Sequence, residues 1–237
     1  MLKLAAIQYK PPKALLPVAQ TEICDLIRQA GKDGADLIVC PEMATTGYLW
    51  DSPEQLLPYA EPAEGETFSL LSELAEQYKT WIICGFPEAS NNKLFNSAWV
   101  IQPNGKLVCC YRKILLYDSD YTWSKSGTTR YLIASELGTI FPAICMDLND
   151  NNLLHALWKN NPDILAFCTN WLDEGSNVLE YWRHRILGWR GWFVAANSWG
   201  AEQDITFSGR SLILDPKGNV VAMAPKTGNC IIMADMN

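Results

Sequence analysis

Short runs of β-branched and aromatic residues recur along the whole chain, and two different kinds of connection separate them. Some runs are joined by tight turns. Pro103-Asn104-Gly105 lies between Ser97–Ile101 and Lys106–Tyr111, and Asp215-Pro216-Lys217-Gly218-Asn219 links Gly209–Asp215 to Val220–Ala224. Other strand-like runs, at Lys3–Tyr9, Asp36–Cys40, Trp81–Phe86, Arg130–Ala134, Thr139–Cys145, Ile164–Cys168, Trp192–Ala196 and Asn229–Asp235, are interspersed with helical periodicity. That periodicity is carried by Ile23, Leu26, Ile27 and Ala30; by Phe68, Leu71, Leu74, Ala75 and Tyr78; by Leu153, Leu154, Leu157 and Trp158; and by Val178, Tyr181, Trp182, Ile186 and Trp189. A chain that mixes βα and ββ connections predicts an α/β fold whose sheets carry helices on their outer faces, not a pure parallel barrel. No Ser/Gly/Pro-rich linker, composition break or internal repeat divides residues 1–237, so they read as a single domain.

Composition narrows the function. Apolar residues make up 49% of the chain, enough for a substantial core. The formal charge of −7 is spread without a basic cluster, which argues against nucleic acid as a partner. Leu4-Ala-Ala-Ile7 is too short for a signal-peptide core, and no apolar stretch approaches the ~20 residues of a membrane span. A soluble, cytoplasmic protein with no membrane association is expected. Of the 8 cysteines, Cys40, Cys84, Cys109, Cys110, Cys168 and Cys230 lie inside apolar strand-like runs, where reduced cysteine behaves as a small hydrophobe. With only 2 histidines and no C-x-x-C pair, neither a metal site nor a cofactor is expected. His155 and His184 both fall in helical segments without a charge relay and read as structural.

Cys145 stands apart from the other thiols. The apolar run Thr139-Ile-Phe-Pro-Ala-Ile ends at it and gives way to Met-Asp-Leu-Asn149, Asp150 and a helical pattern, so the thiol is expected at a strand-to-helix elbow. Partial positive charge and free N–H groups at a helix start would favour a thiolate there and could hold an oxyanion. Glu42 follows the apolar strand Asp36–Cys40; partial desolvation would raise its carboxyl toward general-base range, while a solvated loop carboxylate or a helix cap is the alternative. Lys113 closes the strand-like run Leu107–Lys113, where its stem could equally pack with its head in water. A carboxylate, an ammonium and a thiol, each at the C-terminal end of a strand, are a combination that open α/β folds converge on one site.

In this combination the chain resembles the nitrilase, or carbon–nitrogen hydrolase, superfamily over nearly its whole length. The resemblance lies in Pro41-Glu42-Met-Ala-Thr-Thr-Gly47-Tyr48, in Tyr111-Arg112-Lys113-Ile-Leu-Leu-Tyr117 and in Ala143-Ile-Cys145-Met-Asp147, with Phe193–Asn197, Phe207–Ser211 and Leu214–Gly218 similar to the family's later strands. It implies a four-layer α-β-β-α sandwich of two mixed sheets flanked by helices, assembled as a homodimer or larger homo-oligomer. It also implies thiol-dependent hydrolysis of a non-peptide C–N bond through a thioester. Cys145 would be the nucleophile, Glu42 the base, and Lys113 with the backbone N–H of Met146 the oxyanion site. Two other readings stand beside it: a ligand-binding or scaffold protein that kept the fold with reduced catalysis, and an isochorismatase-like cysteine hydrolase on a doubly wound parallel sheet.

The chain departs from the family's pattern in two places. Asp120 stands where many members have a second Glu seven residues after the Lys, and either orients Lys113 or the substrate amide, or is a solvated loop residue. Arg185-Ile-Leu-Gly188-Trp189 replaces a polar Arg-Ala-x-Glu-Asn segment. Arg185 shares a helical stripe with Trp182 and Trp189, should be partly buried, and is expected to pair with Asp147. Trp171 ends a strand where a pocket wall is expected, and contacts substrate or simply packs. The tryptophan-rich stretch Trp182–Trp199 suits either a subunit interface or the core. The substrate is expected to be a small-molecule amide: a small primary amide, an N-terminal Asn or Gln amide suggested by Tyr181-Trp182-x-x-Arg185, a dicarboxylic acid monoamide or an N-carbamoyl compound.

Overall fold

The structure, a computed structural model, describes residues 1–175 and 177–236. In the N-terminal half, β1 (Leu2–Gln8), α1 (Leu16–Lys32), β2 (Leu37–Val39), α2 (Pro53–Leu56), α3 (Glu66–Tyr78), β3 (Trp81–Ser90), β4 (Lys93–Ile101) and β5 (Leu107–Arg112) follow in order. The C-terminal half contains β6 (Ile133–Ser135), β7 (Gly138–Ile144), α4 (Asn151–Asn160), β8 (Ile164–Thr169), α5 (Val178–Arg185), β9 (Trp192–Asn197), β10 (Trp199–Glu202), β11 (Ile205–Ser208), β12 (Leu212–Leu214), β13 (Val220–Met223) and β14 (Cys230–Met236). Two six-stranded sheets result, ordered β14-β1-β2-β3-β4-β5 and β13-β12-β9-β8-β7-β6.

Both sheets are mixed in the same way. Strands β1, β2 and β3 run parallel, as do β7, β8 and β9, and antiparallel partners extend each parallel core on both sides. This topology excludes a doubly wound parallel sheet and hence the isochorismatase-like alternative.

Side-chain alternation explains the layering. Leu4 and Ala6 of β1, Leu37 and Val39 of β2, Ile140 and Ile144 of β7, and Ile164, Ala166 and Cys168 of β8 meet in one apolar layer between the sheets. Their neighbours point the other way. Ala5, Ile7 and Ile38 pack under α1 and α3 with Ile23, Ile27, Leu71 and Leu74. Phe141, Leu165 and Phe167 pack under α4 and α5 with Leu153, Leu157 and Trp182. Strands buried on both faces therefore read as continuous apolar runs. Within the tryptophan-rich stretch, Trp182, Trp189 and Trp192 are buried in the chain's own core, whereas Trp199 is half-buried. Trp158 departs from its helical stripe and is 47% exposed.

The expected strand Arg130–Ala134 begins only at Ile133, and a second run is also corrected. The run Gly209–Asp215 is strand only over Leu212–Leu214, because Gly209 (φ 60) and Arg210 (φ 53) turn into the left-handed region. A Cβ on Gly209 would lie 2.0 Å from the Lys226 carbonyl oxygen. Just before this turn, β10 and β11 form a hairpin that periodicity did not single out. Glu202 at its tip accepts from the main-chain N–H groups of Tyr48 and Leu49, at 3.0 and 2.7 Å, and so secures the loop that follows Glu42.

Candidate active site

Strand β2 delivers Glu42 and β5 delivers Lys113 from one sheet; β7 delivers Cys145 and β8 delivers Asn170 from the other. The parallel cores bring these C-terminal strand ends together, and all four residues are buried. The turn carrying Glu42 sits directly against β3: the Gly85 N–H donates to Pro41 O at 3.1 Å and the Ala44 N–H to Gly85 O at 2.9 Å. A Cβ at Gly85 would stand 2.6 Å from Glu42 Cα, so glycine is required for this approach.

The charged centre is an ion network with no exposed side chain. Lys113 Nζ donates to Glu42 Oε1 at 2.7 Å and to Asp120 Oδ2 at 2.6 Å, and all three side chains are 0% exposed. An ammonium has three N–H donors, and the third has no acceptor among the described residues. Asn96 Nδ2 donates to Glu42 Oε1 at 2.7 Å and to Asp120 Oδ1 at 3.4 Å. Glu42 Oε2 accepts from the Asn170 N–H at 2.9 Å, and the Asn170 side chain donates to Glu42 O at 2.9 Å. Asp120 is thus buried rather than solvated. Burial pulls the Lys113 ammonium down, but Asp120 and Glu42 outweigh it and hold the group protonated, well above the ordinary lysine value. Glu42 is raised by burial, against the opposing pull of Lys113.

Cys145 has φ 43, an uncommon conformation for a residue with a side chain and one that concentrates at functional sites. The helix start does not depress its thiol. Burial first, and then the Glu42 charge, push it well above the ordinary value; Lys113, the Thr169 hydroxyl and the Asn170 N–H pull the other way without prevailing. This corrects the expectation of a stored thiolate. The difference in thiolate ultraviolet absorbance between the native protein and Cys145→Ala should show no ionisation step below pH 9.0, the ordinary thiol value. A step in the acid range would mean that helix-terminal charge dominates after all.

The elbow is braced differently from expectation. Asp147 does not meet Arg185; it is fully buried and accepts from Tyr111 Oη at 2.6 Å, from the N–H groups of Ile114 and Leu115 at 2.9 and 2.8 Å, and from Ile144 N at 3.0 Å. Four donors satisfy the carboxylate, and they tie the Cys145 turn to the segment that follows Lys113. Half-buried Arg185 instead reaches Leu148 O at 2.9 Å and Asn151 Oδ1 at 3.3 Å, bracing the same turn through its main chain. Gly188 (φ 90) lies in the open turn after α5, and the Trp189 indole donates to Pro162 O at 3.0 Å. That pair ends a helix and fills the core instead of facing the site.

Cys145 opens onto a cavity of about 230 Å³ lined by Tyr48, Tyr117, Met146, Asn149, Trp171 and Tyr181, among others. Trp171 both lines it and packs: its ring centroid lies 5.7 Å from that of Trp182 and 5.5 Å from that of Tyr181, and its main-chain N–H donates to Asn197 Oδ1 at 2.8 Å. Tyr181 Oη donates to Asn149 Oδ1 at 2.5 Å, joining α5 to the far end of the Cys145 turn. His155 and His184 are exposed and do not line the cavity. Among the described residues no group of His, Cys, Asp or Glu side chains could hold a metal ion.

Sequence reasoning did not find Asn96. The available signal was an amide beside Ser97 between the apolar pairs Leu94-Phe95 and Ala98-Trp99 of β4, since a buried polar side chain must have partners.

Comparison with known proteins agrees with this geometry. The family model described as carbon–nitrogen hydrolase matches residues 3–237. A nitrilase of Pyrococcus abyssi is 29% identical over 241 residues, covering 100% of this chain and 90% of its own. A protein N-terminal amidase of Schizosaccharomyces pombe is 26% identical over 260 residues, covering 90% of this chain and 91% of its own. Among solved structures, a mutant of the amidase from Nesterenkonia sp. AN1, with acrylamide added at its active-site cysteine, superposes with a TM-score of 0.89. It is 17% identical and covers 100% of this chain and 94% of its own, a likeness that concerns the fold. The match over almost every residue, on a fold of two helix-flanked mixed sheets, means that this chain is an enzyme of the carbon–nitrogen hydrolase family.

Proposed function

We propose that this hydrolase cleaves the C–N bond of a small primary amide, or of an N-terminal Asn or Gln amide, through a thioester on Cys145. The observation that carries the reading is the buried Glu42–Lys113–Asp120 network, joined through the Asn170 N–H to the wall of the cavity that holds the thiol. A protonated thiol needs a base at the moment of attack, and Glu42, raised by burial, suits that task.

In the proposed sequence Glu42 takes the Cys145 proton as Sγ bonds to the amide carbon, and the carbonyl electron pair moves onto oxygen. The third N–H of Lys113 and the main-chain N–H of Met146 receive that oxyanion. Glu42 then returns the proton to the leaving nitrogen, the C–N bond breaks and ammonia departs from the thioester. A water, deprotonated by Glu42, attacks the same carbon; the C–S bond breaks, the thiolate recovers its proton from Glu42, and the acid is released. Asp120 and Asn96 keep Lys113 and Glu42 in register throughout. A catalytically reduced scaffold would have no need of a buried ammonium with one free donor. Assembly as a homodimer or larger oligomer, a cytoplasmic location and a single-domain organisation for residues 1–237 belong to the same proposal.

The test is ammonia release from a panel of short primary amides and of peptides beginning with Asn or Gln, with hydroxylamine present in a parallel set. Ammonia together with a hydroxamate is expected, because a thioester partitions to the added nucleophile. Absence of ammonia across the panel would overturn the reading, and ammonia without any hydroxamate would count against the thioester.

A further inference from the structure

The wall of the cavity has an uneven charge. Of the described side chains that line it, Glu174 alone carries a formal charge; the others are Tyr48, Tyr117, Trp171, Tyr181 and small or neutral residues. The cation of the charged centre, Lys113, is fully buried and committed to Glu42 and Asp120, so it offers nothing to a charged group at the mouth. Lys226 pairs with Asp173, the residue before Glu174, at 2.7 Å, and both face a separate recess with Arg210. Glu174 stands instead by the aromatic wall: its charge is among the causes, after burial, that raise the Tyr117 phenol. Trp171 and Tyr181 complete that wall, with ring centroids 5.5 Å apart.

A carboxylate set among aromatic faces attracts an organic cation and repels an anion. We infer that Glu174 selects primary amides bearing an ammonium group at the end remote from the scissile bond, and disfavours amides bearing a carboxylate there. The inference rests on the amidase reading above and narrows its substrate class: dicarboxylic acid monoamides would meet like charge at the mouth and no cation to receive them. Glu174 is exposed, so water and salt screen the pairing, and its effect is a modest preference at the binding step. It acts on KM for the charged substrate because the ammonium end does not change during the reaction.

The measurement is kcat/KM for butanamide, for ω-ammonium amides with two to five methylenes, and for succinamate, with the native enzyme, Glu174→Gln and Glu174→Lys. The best ammonium amide should exceed succinamate by at least about tenfold in the native enzyme. In Glu174→Gln the ratio of ammonium amide to butanamide should fall about fivefold, mainly through KM, and the fall should shrink at high salt. Glu174→Lys should favour succinamate over the ammonium amides. A native preference for succinamate, or an ammonium-to-butanamide ratio that does not move in Glu174→Gln, would overturn the assignment even with butanamide turned over normally. Inactivity of the native enzyme on these amides and on the Asn- and Gln-leading peptides of the earlier panel would refute the underlying amidase reading and this inference with it.

Discussion

Replacement of Cys145 by alanine is expected to lower amide turnover by roughly 10⁴-fold or more, and to leave the fold in place. The first part follows from role: without Sγ no thioester forms, and neither Glu42 nor Lys113 can supply the missing bond. The second follows from environment. The thiol is 8% exposed and resides in its neutral form, so its loss removes a small buried volume and breaks no ion pair. The backbone at φ 43 is no harder for alanine than for cysteine. Steady-state ammonia release and thermal unfolding, run on the same preparation, check both parts. Full turnover by the variant on a good substrate would sink the nucleophile assignment, and a collapsed melting transition would mean that the thiol also supports the elbow.

Lys113→Ala should fail in both respects. Loss of an oxyanion donor alone costs about 3 kcal/mol of transition-state stabilisation, or roughly 10²- to 10³-fold in kcat. Beyond that, the substitution leaves Glu42 and Asp120, both 0% exposed, as neighbouring buried carboxylates without their cation. Removing one partner from a buried ion network typically destabilises by about 3–5 kcal/mol, and denaturant unfolding should show a loss of that order. The pH dependence has a definite sign. Without the ammonium, burial and the neighbouring Asp120 charge are left unopposed in raising the folded-state Glu42 carboxyl above its unfolded value. Stability in such a case is highest below the unfolded values and falls as pH rises through the folded ones. The deficit of Lys113→Ala relative to the native protein should therefore shrink as pH is lowered toward the carboxylate range. Asp120→Asn added to Lys113→Ala should restore part of the stability but not the turnover, because it removes one uncompensated charge without replacing the donor. Equal stability of native and Lys113→Ala proteins at neutral pH would contradict the network as described.

Several features of the site were legible in one dimension because local chemistry reports them. Glu42, Lys113 and Cys145 each follow an apolar strand, and a strand buried on both faces leaves a continuous hydrophobic run whose end is easy to read. The turns at residues 103–105 and 215–219 carry Pro, Asn, Asp and Gly for conformational reasons, and both join antiparallel strands. The β10–β11 hairpin escaped notice because it is short and half exposed, with weak alternation and a turn, Gln203-Asp204, that lacks glycine. The Arg185 partner was misjudged for a different reason. Helical spacing tells which residues share a stripe, but Asp147 is claimed by Tyr111 and three main-chain N–H groups, most of them from segments distant in sequence.

The thiol shows the same division most sharply. A sequence displays the helix start after Cys145 and invites the conclusion that a thiolate is stored there; it does not display how thoroughly the group is removed from water, nor that the Glu42 charge lies beside it. Desolvation and the sign of the nearest charge decide ionisation, and both depend on contacts made across the fold.

By itself, then, the sequence determined the α/β class, the positions of the principal strands and helices, and which carboxylate, ammonium and thiol terminate buried strands. These are properties of periodicity and composition within a few residues of each other. It took the folded contacts to show that Lys113 holds Glu42 and Asp120 at once, that Asn96 and Asn170 fix the base, that Asp147 ties two strand ends together, and that Glu174 lines the aromatic mouth. Those contacts join residues up to 128 positions apart. Their energies come from burial and distance, which a linear pattern does not encode.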